Sequence, residues 1–329
     1  MPPVRLRIKR RLEEMEKRRP STDVPDVPRE MLVEVSNLCN QKCVFCAYPK
    51  MTRPGKRIEV SLIERVLREG YDLGTREVGF YSGAEPFTTP HLEQIVAIAK
   101  AIGYEYTFIT TNGSLATEAR VKTLIDNGLD SLKFSINAGD RESYREIHGQ
   151  DHFERVLKNL RFASEYRERV DSPMYLAVSF VGIDHEGYNN LHTRAALEAL
   201  VAPWVDEVVF YDAGADNGQM LGLPPHGAAA PCQLPFFRVH VSAEGYLRAC
   251  CNDYQNYLSL ADLNHTSLRE AWLSPEARDL RRRHLENRLE GTLCFNCIHN
   301  TLTPIEPLQP SLAVKVEPEF FLFKKYTKS

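Results

Sequence analysis

The sequence predicts an α/β protein: an open, partial (βα)6 barrel of TIM-like type over residues 29–213. A basic segment, 1–28, precedes it and a smaller cysteine-bearing extension, 214–329, follows. Three observations predict this. Between Met31 and Asp212, short apolar runs alternate about six times with segments of helical period, which favours a parallel sheet with helical crossovers. These units are too few to close a full barrel. After Ala213 the alternation stops, and residues 214–231 are rich in Gly, Pro and Ala.

Each element has its own signal. Residues 31–36 (Met-Leu-Val-Glu-Val-Ser) are short and apolar-rich, a first strand. Residues 61–71 carry Leu62, Ile63, Val66 and Leu67 at helical spacing, with Ser61 as the expected N-cap. Residues 77–81 read as a strand, 91–102 as a helix and 104–110 as a strand. Residues 117–127 form a helix that ends at Gly128, a common residue just past a helix end. Strands over 131–136, 175–181 and 207–211 alternate with helices over 154–166 and 190–200. In the extension, 236–241 and 246–249 read as a hairpin turned at Ala243-Glu244-Gly245. Residues 267–273 and 276–285 look helical, and Pro304, Pro307 and Pro310 keep the tail extended.

Composition narrows the function. Lys and Arg number 41 against 44 Asp and Glu, a formal charge of −3 over 329 residues. That balance argues against a nucleic-acid partner. With 43% hydrophobic and 26% charged residues, the chain is neither disordered nor fibrous. It holds no apolar run long enough to span a membrane. The first twenty residues are basic, interrupted by Glu13, Glu14 and Glu16, and lack the apolar core of a secretory signal. The expected location is the cytoplasm, where eight cysteines are not expected as disulfides. Arg5, Arg7, Lys9, Arg10, Arg11, Lys17, Arg18 and Arg19 read as a solvated helix face, or as a contact for an acidic substrate or carrier.

The cysteines fall in two groups, with none between Cys46 and Cys232. Cys39-Asn-Gln-Lys-Cys43-Val-Phe-Cys46 follows the first strand, so it sits at the strand end where such folds gather ligands. Three thiolates in one loop can bind three irons of a [4Fe–4S] cube and leave the fourth open. Zinc is the alternative, but a closed zinc site wants a fourth protein ligand. The nearest histidine on the C-terminal side is His91. The second group is Cys232, Cys250, Cys251, Cys294 and Cys297. It reads as a cluster site or as a zinc ribbon.

The C-x3-C-x2-C run, with Phe45 before its last cysteine, resembles the signature of the radical S-adenosylmethionine (SAM) superfamily. The resemblance implies that Cys39, Cys43 and Cys46 hold a [4Fe–4S] cluster, that SAM chelates its open iron, and that a 5′-deoxyadenosyl radical removes hydrogen from the substrate. Ser82-Gly83-Ala84-Glu85-Pro86 resembles the family's GGEP segment, which meets the SAM amino group, with Ala84 replacing the second glycine. Thr110-Thr111-Asn112-Gly113 resembles its TNG segment. Ser135 and Asn137 resemble the strand end that contacts the SAM ribose or carboxylate; Ser179 and Val181 sit where the next strand reaches the adenosyl group.

Gly245, the spacing to Cys250 and the pair Cys294–Cys297 resemble the family's auxiliary-cluster extension, SPASM in its long form and twitch in its short form. No cysteine follows Cys297, which implies one auxiliary [4Fe–4S] cluster on Cys232, Cys250, Cys294 and Cys297. Asn252-Asp253-Tyr254 and the run 267–272 match the family's flanks. Cys251 is then a thiol beside the cluster, either merely packed or a hydrogen-atom donor that would make the protein an epimerase. Asp212 ends the sixth strand and is expected to face the cavity, as a capping or salt-bridge residue or as a group that binds a substrate hydroxyl or takes a proton. The expected activity is oxidation of an alcohol carbon in a small, sugar- or aminocyclitol-like substrate, with the auxiliary cluster accepting an electron and a flavodoxin or ferredoxin as donor. Epimerisation and peptide modification are the alternatives, and a non-catalytic metal-binding protein is a third.

Overall fold

In this computed structural model the described residues are 17–214, 220–223 and 231–323. Most of the basic stretch, including Arg5 to Arg11, lies outside them. Six strands run parallel through the barrel: β1 (Glu30–Val33), β2 (Glu77–Gly79), β3 (Tyr106–Thr111), β4 (Ser131–Ser135), β5 (Tyr175–Gly182) and, after the two-residue strands β6 (Asp184–His185) and β7 (Tyr188–Asn189), β8 (Glu207–Asp212). The helices are α1 (Val60–Asp72), α2 (Leu92–Ile102), α3 (Glu118–Asp126), α4 (Arg141–His148), α5 (Phe153–Arg169) and α6 (Arg194–Val201). In α1, Ile63, Val66, Leu67 and Gly70 form the buried stripe. A Cβ on Gly70 would lie 2.7 Å from the Met31 methyl, so the helix and β1 approach closely there.

Ser61 is not the cap of α1. The capping position is Glu59, with no side-chain bond. Ile58 is buried and its N–H donates to Val35 O at 3.1 Å, so the chain turns from a sheet contact straight into the helix and Ser61 falls inside the first turn. Helix α4 was not predicted. Few of its residues are apolar, and its signals are its caps: Asp140 accepts from Ser143 N at 2.8 Å, and Gly149 takes φ 65°.

The extension continues the barrel's sheet. Strand β9 (Val239–Val241) pairs parallel with β1, in register Leu32↔His240, and the antiparallel strands β10 (Tyr246–Arg248) and β11 (Ser259–Asp262) follow outward. Among the described residues this makes one sheet of nine strands, β11-β10-β9-β1-β2-β3-β4-β5-β8. The hairpin predicted from 236 begins later, because residues Leu234–Phe237 form a helical turn, α7. Helices α8 (Leu268–Trp272), α9 (Pro275–Leu285) and α10 (Leu293–His299) complete the extension. The tail runs back extended: Leu308 N donates to Tyr257 O at 2.9 Å and Val314 N to Gln255 O at 3.0 Å. Among the described residues no helix is long and apolar enough to cross a membrane.

Candidate functional site

Parallel strands deliver their C-terminal ends to one edge, and there the motif segments meet. The loop after β1 carries Cys39, Cys43 and Cys46. It is held on one side by α4, with Lys42 N donating to His148 O at 3.0 Å and Val44 N to Ile147 O at 2.9 Å. Glu85 N donates to Leu38 O at 3.0 Å, which fixes the 82–86 segment against the start of the loop. The Glu85 carboxylate is buried and accepts from Thr111 Oγ1 (2.7 Å), Asn112 N (2.7 Å) and Phe87 N (3.0 Å). Burial pushes its pKa up to about 7, against these hydrogen bonds. Asn112 Nδ2 donates to Asn40 Oδ1 at 3.0 Å and lies 3.9 Å from Cys39 Sγ. These bonds hold the 82–86 segment and Asn112 together as a wall against the cysteine loop. Phe45 lies partly buried in a separate apolar cluster with Val44, Ile147, Ile183 and Tyr254.

On the neighbouring strands Ser135 and Ser179 are register partners. Asn137, at φ 57°, donates to Ser135 Oγ at 3.0 Å and accepts from Val181 N at 2.8 Å. Its amide is thus spent on holding the ends of β4 and β5 together. Lys133 shares the Ser135 face of β4, and its amine meets Tyr211 OH at 3.4 Å. Burial lowers this amine to about 8, with Glu207 opposing. Tyr175 OH donates to Glu207 at 3.0 Å. The barrel interior is therefore polar.

Asp212 does not face that interior. It pairs with Gly182, one residue beyond the Val181–Tyr211 pair, so alternation turns it to the opposite face, where it is exposed. The sequence places it correctly at the strand end; the pleat reverses its direction.

Each cysteine group is a neighbourhood. Burial is the first cause raising both Cys39, to about 12, and Cys43, well above its ordinary value, with Cys46 adding to each. The second group is likewise mutual: Cys250 is raised by Cys251, Cys232 and Cys297, and Cys294 by burial, Cys232 and Cys297. Cys294 and Cys297 stand one turn apart on α10. Yet among the described residues no three His, Cys, Asp or Glu side chains converge on a position for one metal ion. Zinc draws its donors to about 2.3 Å from a single point, whereas a cube spreads them over separate corners.

Matches to known families agree with this geometry. Residues 33–190 match the Radical SAM superfamily model, and residues 232–298 match the SPASM iron–sulfur cluster-binding domain. The chain belongs to the radical SAM superfamily. As a radical SAM protein with a SPASM domain it uses SAM and [4Fe–4S] clusters, one binding SAM and the other auxiliary.

Among curated relatives, this radical SAM chain is 31% identical over 129 residues to GTP 3′,8-cyclase of Chlorobaculum tepidum, covering 39% of this chain and 38% of the relative. It is 33% identical over 131 residues to the probable GTP 3′,8-cyclase of Methanothermobacter marburgensis, covering 40% and 42%. The chain thus matches about two fifths of the length of these relatives. Similar solved folds include BtrN in complex with AdoMet and 2-DOIA (TM-score 0.56, 17% identity, covering 88% of this chain and 98% of that one). They also include Streptococcus suis SuiB bound to precursor peptide SuiA (0.57, 15%, 82% and 68%) and anSMEcpe with bound AdoMet (0.60, 13%, 85% and 93%).

Three residues that the sequence did not single out as site residues also reach the cysteine loop. His148 Nδ1 lies 3.1 Å from Cys43 Sγ and 2.8 Å from Gln41 Oε1. Tyr254 OH lies 3.3 Å from Cys46 Sγ. Arg53 Nε donates to Tyr254 O at 2.8 Å. His148 and Tyr254 are brought to the N-terminal loop by folding, from positions more than one hundred and two hundred residues away. The Asn252-Asp253-Tyr254 flank was the sole signal near any of them.

Proposed function

We propose that this chain oxidises an alcohol carbon of a small polar substrate, with Cys39, Cys43 and Cys46 holding the SAM-binding cluster and Cys232, Cys250, Cys294 and Cys297 holding one auxiliary cluster. When bound, SAM and the first cluster supply a 5′-deoxyadenosyl radical, and the auxiliary cluster supplies an electron sink. One observation carries the reading: Ser82 Oγ donates to Cys251 O at 2.8 Å. It brings the Cys251 backbone against the 82–86 segment, whose Glu85 N donates to Leu38 O at the start of the N-terminal cysteine loop, and this proximity supports electron transfer between the two groups.

The protein residues divide the remaining work. Glu85, Thr111 and Asn112 lock the wall that receives the SAM amino group. Asn137 orients Ser135 and fixes the end of β5, whose Ser179 and Val181 border the adenosyl site. Lys133, Tyr211 and Glu207 offer donors and acceptors to a polar substrate in the barrel. Asp212 has no part in this reading, since it faces away. SuiB was solved with a peptide, so peptide modification is the competing outcome.

Epimerisation is a second reading, favoured by the position of Cys251. Its side chain lies against Cys250 and His240, and its carbonyl binds Ser82. A thiol there can return a hydrogen atom to a substrate carbon. The test is mass spectrometry of products from candidate sugars and aminocyclitols, incubated anaerobically with SAM and dithionite in deuterium oxide. Loss of two hydrogens supports oxidation. Unchanged connectivity with one deuterium gained supports epimerisation. Reaction with a precursor peptide and with none of the small molecules would overturn both.

A further inference from the structure

We propose that Tyr254, a residue of the C-terminal domain, sets the reduction potential of the cluster held by the N-terminal loop. The inference rests on the reading of Cys46 as a cluster ligand. Tyr254 OH lies 3.3 Å from Cys46 Sγ. A metal-bound cysteine sulfur carries no proton, so the phenol must donate. Tyr48 N is a second donor to the same sulfur, at 3.4 Å. The Asn112 Nδ2 donor lies farther from Cys39 Sγ, at 3.9 Å.

The phenol is held in place from several sides. Its ring lies over Gly83, where an added Cβ would come within 2.8 Å of it. Its carbonyl accepts from Arg53 Nε at 2.8 Å, and Arg53 is itself clamped by Glu34 and Glu244. The preceding carboxylate, Asp253, collects Tyr257 N at 2.9 Å and Leu258 N at 2.7 Å, which shapes the loop that presents the ring. The donor is therefore fixed before any cluster is reduced. Hydrogen bonds to cluster sulfurs and exclusion of solvent are the protein's means of tuning such potentials. Reduction adds negative charge to the sulfurs, which a donated O–H stabilises, so this bond raises the potential of the first cluster. Tyr254 also follows Cys250 by four residues, so the segment that serves the C-terminal cysteine group positions the donor for the N-terminal one. Tyr254 is a positioning residue and takes no direct part in the reaction.

The test is a redox titration of the full-length, reconstituted protein, followed by electron paramagnetic resonance of the signal that changes when SAM is added. Tyr254→Phe keeps the ring over Gly83 and removes only the hydroxyl. At a fixed solution potential it is expected to lower the reduced-to-oxidised ratio of that cluster by about three- to tenfold, tenfold being 59 mV for one electron. Tyr257→Phe is the control: its hydroxyl accepts from Val316 N at 3.2 Å, away from the loop, and no shift is expected. An unmoved midpoint in Tyr254→Phe, or an equal shift in Tyr257→Phe, overturns the proposal. Failure of the ligand reading looks different: Cys46→Ala would then keep the SAM-responsive signal.

Discussion

The Arg53 guanidinium lies 2.9 Å from the Glu34 carboxylate, and both side chains are 1% exposed. Arg53 comes from the segment after the cysteine loop, and Glu34 from the end of β1. The pair is extended by Glu244 at 2.8 Å from Arg53 and by Arg248 at 3.6 Å from Glu34, both from the C-terminal domain. A buried charge network thus joins the cysteine loop, the barrel and the SPASM region at one point.

Removing one partner leaves the other charged and uncompensated inside the protein. Arg53→Met or Glu34→Gln should each cost ~3–5 kcal/mol of folding stability. Urea denaturation measures it. The double variant Glu34→Gln/Arg53→Met should lose less than the two single losses combined. A strictly additive cycle would show that the two groups do not interact.

Acid should weaken this junction. Burial alone would raise the Glu34 carboxyl, but Arg248 and Arg53 hold it below its ordinary value of 4.5. A carboxylate with a depressed folded pKa contributes stability that is present above pH 4.5 and is lost as pH falls through the folded value. The denaturation midpoint of the native chain should fall more steeply below pH 4.5 than that of Glu34→Gln. Parallel acid limbs would show that the Glu34 proton is not linked to folding.

The cysteine assignments predict separable losses of iron. Substituting Cys39, Cys43 or Cys46 with Ala should remove about four of about eight irons from reconstituted protein and abolish SAM cleavage. Cys250→Ala should remove the other set and leave the SAM-responsive spectrum. Cys251→Ala should keep both sets. Iron analysis and 5′-deoxyadenosine release read the three cases apart. Loss of the second set in Cys251→Ala but not in Cys250→Ala would reassign the ligand.

Gly83 is predicted to be intolerant of even one methyl group. Its added Cβ would meet Tyr254 Cε1 at 2.8 Å, closer than carbon atoms pack, and the ring is pinned. Gly83→Ala should cost about 1–3 kcal/mol of strain and weaken SAM binding measured by equilibrium dialysis. In a Tyr254→Ala background the same methyl should cost less than it does in the native chain. No loss in the single variant would mean that the ring moves freely.

Local sequence was enough for most of this protein. Alternating short strands and helices determine the parallel barrel, because each crossover needs a helix to return the chain. The C-x3-C-x2-C run determines the three-thiol loop, since a few residues cannot separate its cysteines in space. Gly128 and Gly245 mark turns whose positive φ depends on the residue itself, whereas the caps of α4, Asp140 and Gly149, were passed over because so few of its residues are apolar. Tertiary structure decided the rest. Residues two hundred positions apart, Cys46 and Tyr254 or Glu34 and Arg248, carry no mutual spacing signal and meet because β9 adds to β1 instead of forming a separate sheet. The direction of Asp212 was settled by register, since a pleated strand reverses its face at every residue and one step of alignment exchanges cavity for solvent.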